Sequence, residues 1–402
     1  MSREKRLPLE GLRVLELGQL LAGPFAGMLL ANFGAEVIKV EPPRGGDPLR
    51  RWRGVYRGTS LWWAVMSRNK KCVTLDLKSE RGQQLCRELA VRSDIVVENF
   101  RPGTLERWGL GPEVVWAMNP RVIFVRISGW GQTGPYARRP GYASVAEAMG
   151  GIRYVMGEPG RTPIRPNLSL GDTIAGLHAA FAALVAVYAR DVMGLGRGQV
   201  VDVSLAEAVF NMTESMLPEY DKLGVVREPQ GTKLSGVVPT NTYRCRDGRY
   251  VVIGGNGDSI FRRLMYAIGR PDLAEDPRLA HNDGRVAHEA EIDGAIEAWT
   301  REHMLEEVLE VLNRAEVPCG PIYSIADIVR DPHFQARGLF EEVELAPGDW
   351  VKIPAIVPFF SETPGRTLWT GPPLGAHNEE VYKGLLGLSP EELEQLKEQG
   401  VI

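Results

Sequence analysis

One carboxylate in this chain stands where it could react. Asp172 lies in NLSLGDTIAGLHAAFAALVAV, residues 167–187, directly ahead of a long stretch of small and apolar residues. Asp is a favoured N-cap, and the alanine-rich run behind it is a strong helix former. Capping alone would account for the residue. A carboxylate at a helix N-terminus is also kept ionised beside backbone N–H groups. From there it can attack an activated acyl carbon and form a mixed anhydride. The same N–H groups can steady the oxyanion that develops. The local sequence leaves both readings open.

Cations gather near the ends of predicted strands. Lys39 and Arg44 go with the second strand, Arg68, Lys70 and Lys71 precede the third, and Arg101 and Arg107 follow Glu98-Asn99-Phe100. Open α/β sheets bind ligands outside the carboxyl ends of their strands. A ligand with several phosphates suits such a cluster, although each cation taken singly reads as solvated surface. The first strand–turn–helix runs through Gly18 and Gly23, but bulky leucines fill the turn and G-x-G-x-x-G is not met. There is no G-x-S-x-G elbow. Of the six histidines only His178 is near Asp172, six positions along the same helix and on a different face. All six read as satisfied or exposed. Cys72, Cys86, Cys245 and Cys319 form no C-x-x-C pair and have no histidine at ligand spacing, so reduced thiols and no metal site are expected.

These residues need a frame, and the first half of the chain supplies an alternating one. Strand-like RVLEL (13–17) is followed by a helix over 21–34, AEVIKVE (35–41), CVTLDL (72–77), a helix over 79–93, DIVVENF (94–100) and RVIFVRISG (121–129). The helix opened by Asp172 follows, then QVVDVSL (199–205) and a helical AEAVFNMTESML (206–217). Strand and helix in turn predict βαβ units, a mostly parallel sheet and helices on both faces. The texture changes at Pro218. A Gly-, Pro- and charge-rich linker over 218–240 leads to a hairpin with an Asp-Gly turn and then to helices, a small α+β unit over 241–316. Residues 1–217 read as the first part of a large domain, and 317–402 as a return linker and its C-terminal part.

Composition fits two globular domains: 402 residues, 44% hydrophobic and 24% charged. A net charge of -4 supplies no basic field for nucleic acid. MSREKRLPLEG lacks the apolar core of a signal peptide. The longest apolar run, AAFAALVAVYA, reads as too short to span a bilayer. A cytoplasmic protein without a membrane partner is expected.

The pieces together resemble the family III CoA-transferases, the CaiB/BaiF group, which includes formyl-CoA transferase and the α-methylacyl-CoA racemases. The resemblance rests on GLRVLELGQLLAGP (11–24), GAEVIKVEPPRGGD (34–47), NKKCVTLDLK (69–78), VVENFRPGTLERWGL (96–110), SGWGQTGPYARRPGY (128–142), LGDTIAGLHAA (170–180), GRGQVVDVSLAEAV (196–209), VPCGPIYS (317–324) and PLGAHNEEV (373–381). It implies transfer of CoA from an acyl-CoA to a free carboxylic acid, with Asp172 as the nucleophile and an acyl-aspartyl anhydride as intermediate. No permanently bound cofactor is implied; CoA arrives as substrate. The implied fold is a Rossmann-like large domain with a smaller α+β domain, two subunits interlocking as a homodimer. Matched motifs make Ala22, Lys71, Asn99, Phe100 and Arg107 CoA contacts, and Lys39 and Arg44 join them on the charge argument.

The resemblance also implies an acyl pocket. Tyr142 lines it. Leu21 stands where formyl-CoA transferase has a glutamine, which disfavours formate and oxalate. Gly236 lies in KLSGVVPT (233–240), the counterpart of that enzyme's run of four glycines. Arg161 and Arg165 precede the nucleophile and could bind a second carboxylate, pointing to succinate, malate, mesaconate or glutarate. The racemase alternative needs a histidine near Gly141-Tyr142, and RRPGYASVAEA has none. A non-catalytic acyl-CoA-binding protein is the other alternative.

Overall fold

The structure, a computed structural model, describes residues 6–346 and 348–402. The chain forms two compact units. The larger takes in the chain as far as Ile152, then Pro166–Glu214 and Ala336–Ile402; the smaller comprises Arg153–Arg165 and Ser215–Gln335.

The larger unit is built on β1 (Arg13–Glu16), α1 (Ala22–Asn32), β2 (Glu36–Glu41), β3 (Lys70–Thr74), α2 (Glu80–Val91), β4 (Ile95–Glu98), β5 (Ile123–Ser128), α3 (Ala143–Met149), α4 (Leu170–Asp191), β6 (Val200–Ser204) and α5 (Leu205–Phe210). The six strands lie in the order β3-β2-β1-β4-β5-β6, every neighbouring pair parallel. This is the dinucleotide-fold order, which reverses between β1 and β4 and opens a crevice at their carboxyl ends. The strands are near-continuous apolar runs because helices cover both faces. Val14, Val37, Val97 and Val125 point to one face, with Ala26 and Leu30 of α1 and the Ala175-Ala179-Ala183-Ala186 row of α4. Leu15, Ile38, Val96 and Phe124 point to the other, against Leu85 and Leu89 of α2. Val381 and Tyr382 of α10 (Asn378–Gly384) and Leu393 and Leu396 of α11 (Pro390–Glu398) complete that second layer, so the last residues return to the sheet.

By length and composition α4, with 22 residues, could cross a bilayer. Its alanine row is buried against the sheet, as in a core helix. The small side chains also let α1 approach: a Cβ on Gly176 would lie 2.7 Å from the Ala22 carbonyl oxygen.

The helix expected over 206–217 is interrupted. It ends at Phe210, Glu214 takes φ 52°, and α6 (Met216–Leu223) begins anew in the smaller unit. Pro218 sits in the first turn of α6, where its missing N–H has no intrahelical partner to lose. Gly224, φ 67°, ends that helix in the left-handed conformation that glycine allows.

The smaller unit holds β7 (Thr240–Arg244), β8 (Tyr250–Gly254), α7 (Asp258–Ala267), α8 (Glu289–Glu302), α9 (Leu305–Arg314) and β9 (Cys319–Pro321). Its antiparallel sheet has the order β9-β8-β7. The expected hairpin closes at Asp247-Gly248, with Gly248 at φ 83°. Leu305, Val308 and Leu312 bury one stripe of α9 beside Val251 and Ile253.

Candidate active site

The crevice begins where β1 ends. The turn Gly18–Leu21 connects β1 to α1, and Asn99 follows the neighbouring β4. The Asn99 side chain grips the turn from both sides: Oδ1 accepts from the Gln19 N–H at 2.9 Å, and Nδ2 donates to the Gln19 carbonyl at 2.8 Å. Gly18 must lack a side chain, because a Cβ there would stand 2.7 Å from Asn99 Oδ1. One N–H and one lone pair of that amide remain for a ligand. The glycines of the first turn therefore serve packing against Asn99.

Leu21 and Ala22 head α1, and both are buried. The Ala22 carbonyl abuts Gly176 of α4. Asp172 lies one helical turn before Gly176, on the same face. Asp172 is half-buried and is the third residue of α4, within its first turn. Of the two roles the sequence left open, the N-cap position is not held by Asp172: it belongs to Ser169. A carboxylate in the first turn still gains from the N-terminal dipole.

A second carboxylate supports this turn. Glu147 of α3 is buried, and its Oε1 accepts from the Gly171 N–H at 3.0 Å. Gly171 fits closely, since a Cβ would lie 3.1 Å from Glu147 Cγ and 3.3 Å from Ala143 Cβ. Tyr142, at the N-cap of α3, is exposed. The larger unit thus brings together the head of α1, the first turn of α4 and the α3 helix that Tyr142 begins. His178 is satisfied where it stands, with Nδ1 2.9 Å from the Ile174 carbonyl oxygen and Nε2 3.2 Å from Asn211 Nδ2.

The segment after β4 is held by charge. Arg126 of β5 donates to Glu98 Oε1 at 2.8 Å and grips Glu106 with both terminal nitrogens, while Glu98 Oε2 accepts from the Phe100 N–H at 2.7 Å. Phe100 packs edge-on against Trp108, with centroids 5.2 Å apart. Arg107 is exposed, as is Arg44 in the loop after β2.

Burial pushes the Glu98 carboxyl up to about 7, against the pull of Arg126. The folded state therefore keeps a proton between the usual carboxylate value and about 7 that the unfolded chain has released. Raising the pH through that window weakens folding. Urea unfolding of the parent is expected to show this decline from acid to neutral pH, and Glu98→Gln to flatten it. Parallel profiles for the two proteins would contradict it.

Two lysines are engaged by acids. Lys39 is fully buried: its ammonium ion-pairs with Glu16 and Asp47, each at 2.9 Å, and donates to the Gly18 carbonyl at 2.9 Å. All three protons are engaged, and the neighbouring carboxylates hold it charged. Lys39 is a scaffold residue, which corrects its reading as a phosphate contact. Lys71 pairs at 2.7 Å with Glu36, the first residue of β2, and at 2.7 Å with Glu380. That holds its ammonium beside the start of β2, and the side chain is partly exposed. Arg161, Arg165 and Gly236 belong to the smaller unit; both arginines are exposed, and the Gly236 carbonyl accepts from Asn282 Nδ2 at 2.8 Å.

Sequence reasoning passed over Glu16, Asp47, Arg126 and Glu147. Glu16 and Arg126 carried a signal, being charged residues inside apolar strand runs, and such residues are buried only when paired.

Comparison with known proteins places this geometry among relatives. The family model described as CoA-transferase family III matches residues 9–378. A succinyl-CoA–D-citramalate CoA-transferase of Chloroflexus aurantiacus is 49% identical over 402 residues, covering 100% of both chains. The alpha subunit of a succinyl-CoA–L-malate CoA-transferase of Chloroflexus aurantiacus is 42% identical, covering 99% of this chain and 94% of that one. The crystal structure of a CaiB/BaiF family protein from Brucella suis superposes with a TM-score of 0.82 at 33% identity, over 95% of this chain and 100% of that chain.

Proposed function

Since the chain belongs to CoA-transferase family III, we propose that it carries CoA from succinyl-CoA to a dicarboxylic acid of the malate and citramalate kind, through Asp172. The observation that carries the mechanism is the half-buried Asp172 carboxylate in the first turn of α4, one turn from the head of α1.

The carboxylate attacks the thioester carbonyl, the C–S bond breaks, and CoA thiolate leaves. The product is a mixed anhydride between Asp172 and the acyl group. Thiolate attack on the aspartyl carbonyl releases the donor acid and places CoA on Asp172. The acceptor carboxylate attacks that thioester, forming a new anhydride and freeing the thiolate again. Thiolate attack on the acceptor carbonyl then yields the new acyl-CoA and restores Asp172. One thioester is exchanged for another, so neither ATP nor a redox partner enters the balance.

Ala22, Lys71, Asn99, Phe100, Arg107 and Arg44 remain the proposed CoA contacts, with Leu21 and Tyr142 at the acyl group. A second carboxylate calls for a cation, and on the sequence argument alone Arg165 is the residue proposed for it, with Gly236 in the same pocket. The test is an acceptor panel with succinyl-CoA as donor, read by chromatography of the acyl-CoA products. Malate and citramalate are expected to turn over, and formate and oxalate to be poor. Turnover of formate with malate untouched would reverse the assignment.

The working form is proposed to be a dimer. Leu177, Phe181, Leu184, Val185 and Tyr188 form an exposed apolar stripe along α4, opposite its buried alanines. Such a stripe marks an interface, and a second copy is the cover proposed. Sedimentation is expected to give twice 44.4 kDa for the parent and a lighter species for Phe181→Glu. A parent mass of one chain would count against it.

A further inference from the structure

Beneath the turn at the head of α1 lies a closed set of six charges. Glu16, Lys39, Glu41, Asp47 and Lys70 are buried, and Arg50 covers them. Lys39 pairs with Glu16 and Asp47, Lys70 with the other Glu16 oxygen at 2.7 Å, and Arg50 with Glu41 at 2.7 Å while stacking 3.8 Å above the Trp63 ring. Three acids face three bases. Two members reach the turn directly: Lys39 donates to the Gly18 carbonyl, and Asp47 accepts the Leu20 N–H on both oxygens, at 3.2 and 3.1 Å.

Leu20 has φ 65°. A leucine in the left-handed region is held there only when its surroundings impose it, and such outliers collect where a site is preorganised. Here the constraint is visible. Asn99 fixes Gln19 from one side, and Asp47 fixes Leu20 from the other. The next two residues are Leu21 and Ala22, at the start of α1. Asp47 is itself seated by Lys39, by the Leu49 N–H at 2.9 Å, and by its own N–H to Glu41 Oε2 at 2.9 Å. Gly46, φ 62°, admits that approach, since a Cβ would meet Glu41 Oε2 at 2.7 Å.

We infer that Asp47 is a positioning residue for the transfer reaction: its buried carboxylate keeps Leu20 left-handed and so aims Leu21 and Ala22 at the acyl thioester. It acts through the backbone and touches no substrate. The inference rests on the proposed transferase reading.

The test pairs Asp47→Asn, which keeps shape and removes charge, with Leu20→Gly, which frees the turn and leaves every ion pair in place. Steady-state transfer from succinyl-CoA is measured beside thermal unfolding and calorimetric CoA binding. Leu20→Gly is expected to stay folded, with an unfolding temperature lowered by the lost packing of a half-buried leucine, yet per folded molecule to lose roughly tenfold to a hundredfold in kcat/KM, the scale of a misaligned reacting group. Asp47→Asn, where it folds, is expected to show the same kcat loss per folded molecule. Parent kcat and KM in a folded Leu20→Gly protein would overturn the inference, even if Asp47→Asn fails to fold. A parent that binds CoA without transferring it removes the transferase reading alone; the inference is then judged on weaker CoA binding by Leu20→Gly. A parent that does neither removes both.

Discussion

Asp172→Ala is expected to lower kcat by about ten-thousandfold or more, the scale seen when a covalent nucleophile is removed, while the protein stays folded. Both halves of the expectation come from where the residue sits. As third residue of α4 it is not the N-cap, a place held by Ser169. A carboxylate in the first turn gains roughly 0.3–1 kcal/mol from the helix dipole. Capping and catalysis could not be told apart from the sequence, but here they predict different phenotypes. A structural carboxylate would give a protein with a lower unfolding midpoint and near-parent turnover per folded molecule. A nucleophile gives the reverse. Asp172→Asn sharpens the comparison, because it keeps size and polarity and lacks only the attacking charge. His178 offers no substitute base, being bonded to the Ile174 carbonyl and Asn211. The check is single-turnover transfer beside urea unfolding on the same preparations.

Lys39→Met is expected to cost about 3–5 kcal/mol of folding free energy, the usual penalty for leaving a buried charge unpaired. The methionine fills the space but takes from Asp47 the ammonium that pairs with it at 2.9 Å and leaves Glu16 its pair with Lys70. The Gly18 carbonyl also loses its donor. Lys39→Arg should not restore the parent value, since a planar fork cannot replace a compact ammonium shared among three acceptors in a closed space. The measurement is equilibrium urea unfolding. An unchanged midpoint would show that the six-charge set carries no weight in the fold. A surface lysine, as the sequence first read it, would give that result.

The sheet was legible because its strands are buried on both faces and bounded by clear turns. RVLEL and AEVIKVE became β1 and β2 within a residue at each end. CVTLDL began two residues early, at Lys70, because lysine's long stem lets its ammonium meet Glu16 while its backbone joins the sheet. The break after Phe210 was passed over because no glycine or proline marks it, although Asn211, Thr213 and Ser215 favour caps over helix interiors. At the site, Asp172 and the glycine turn could be named, since each has a local signature. The fates of Lys39 and Lys71 could not. Whether a lysine faces solvent or a carboxylate depends on partners up to 309 positions away, as with Glu380 beside Lys71. Asp47 was hidden in the same way: its partners Leu20 and Lys39 lie in earlier elements, and only the folded turn joins them.

The central claim, that Asp172 becomes covalently acylated, is tested most directly by trapping. The protein is incubated with succinyl-CoA, treated with hydroxylamine, digested, and its peptides mapped by mass spectrometry. Hydroxylamine converts an aspartyl anhydride or thioester to a stable hydroxamate. The account predicts that modification on Asp172, dependent on the acyl-CoA and absent from Asp172→Asn. Sustained transfer of CoA to malate with Asp172 unmodified throughout would contradict it.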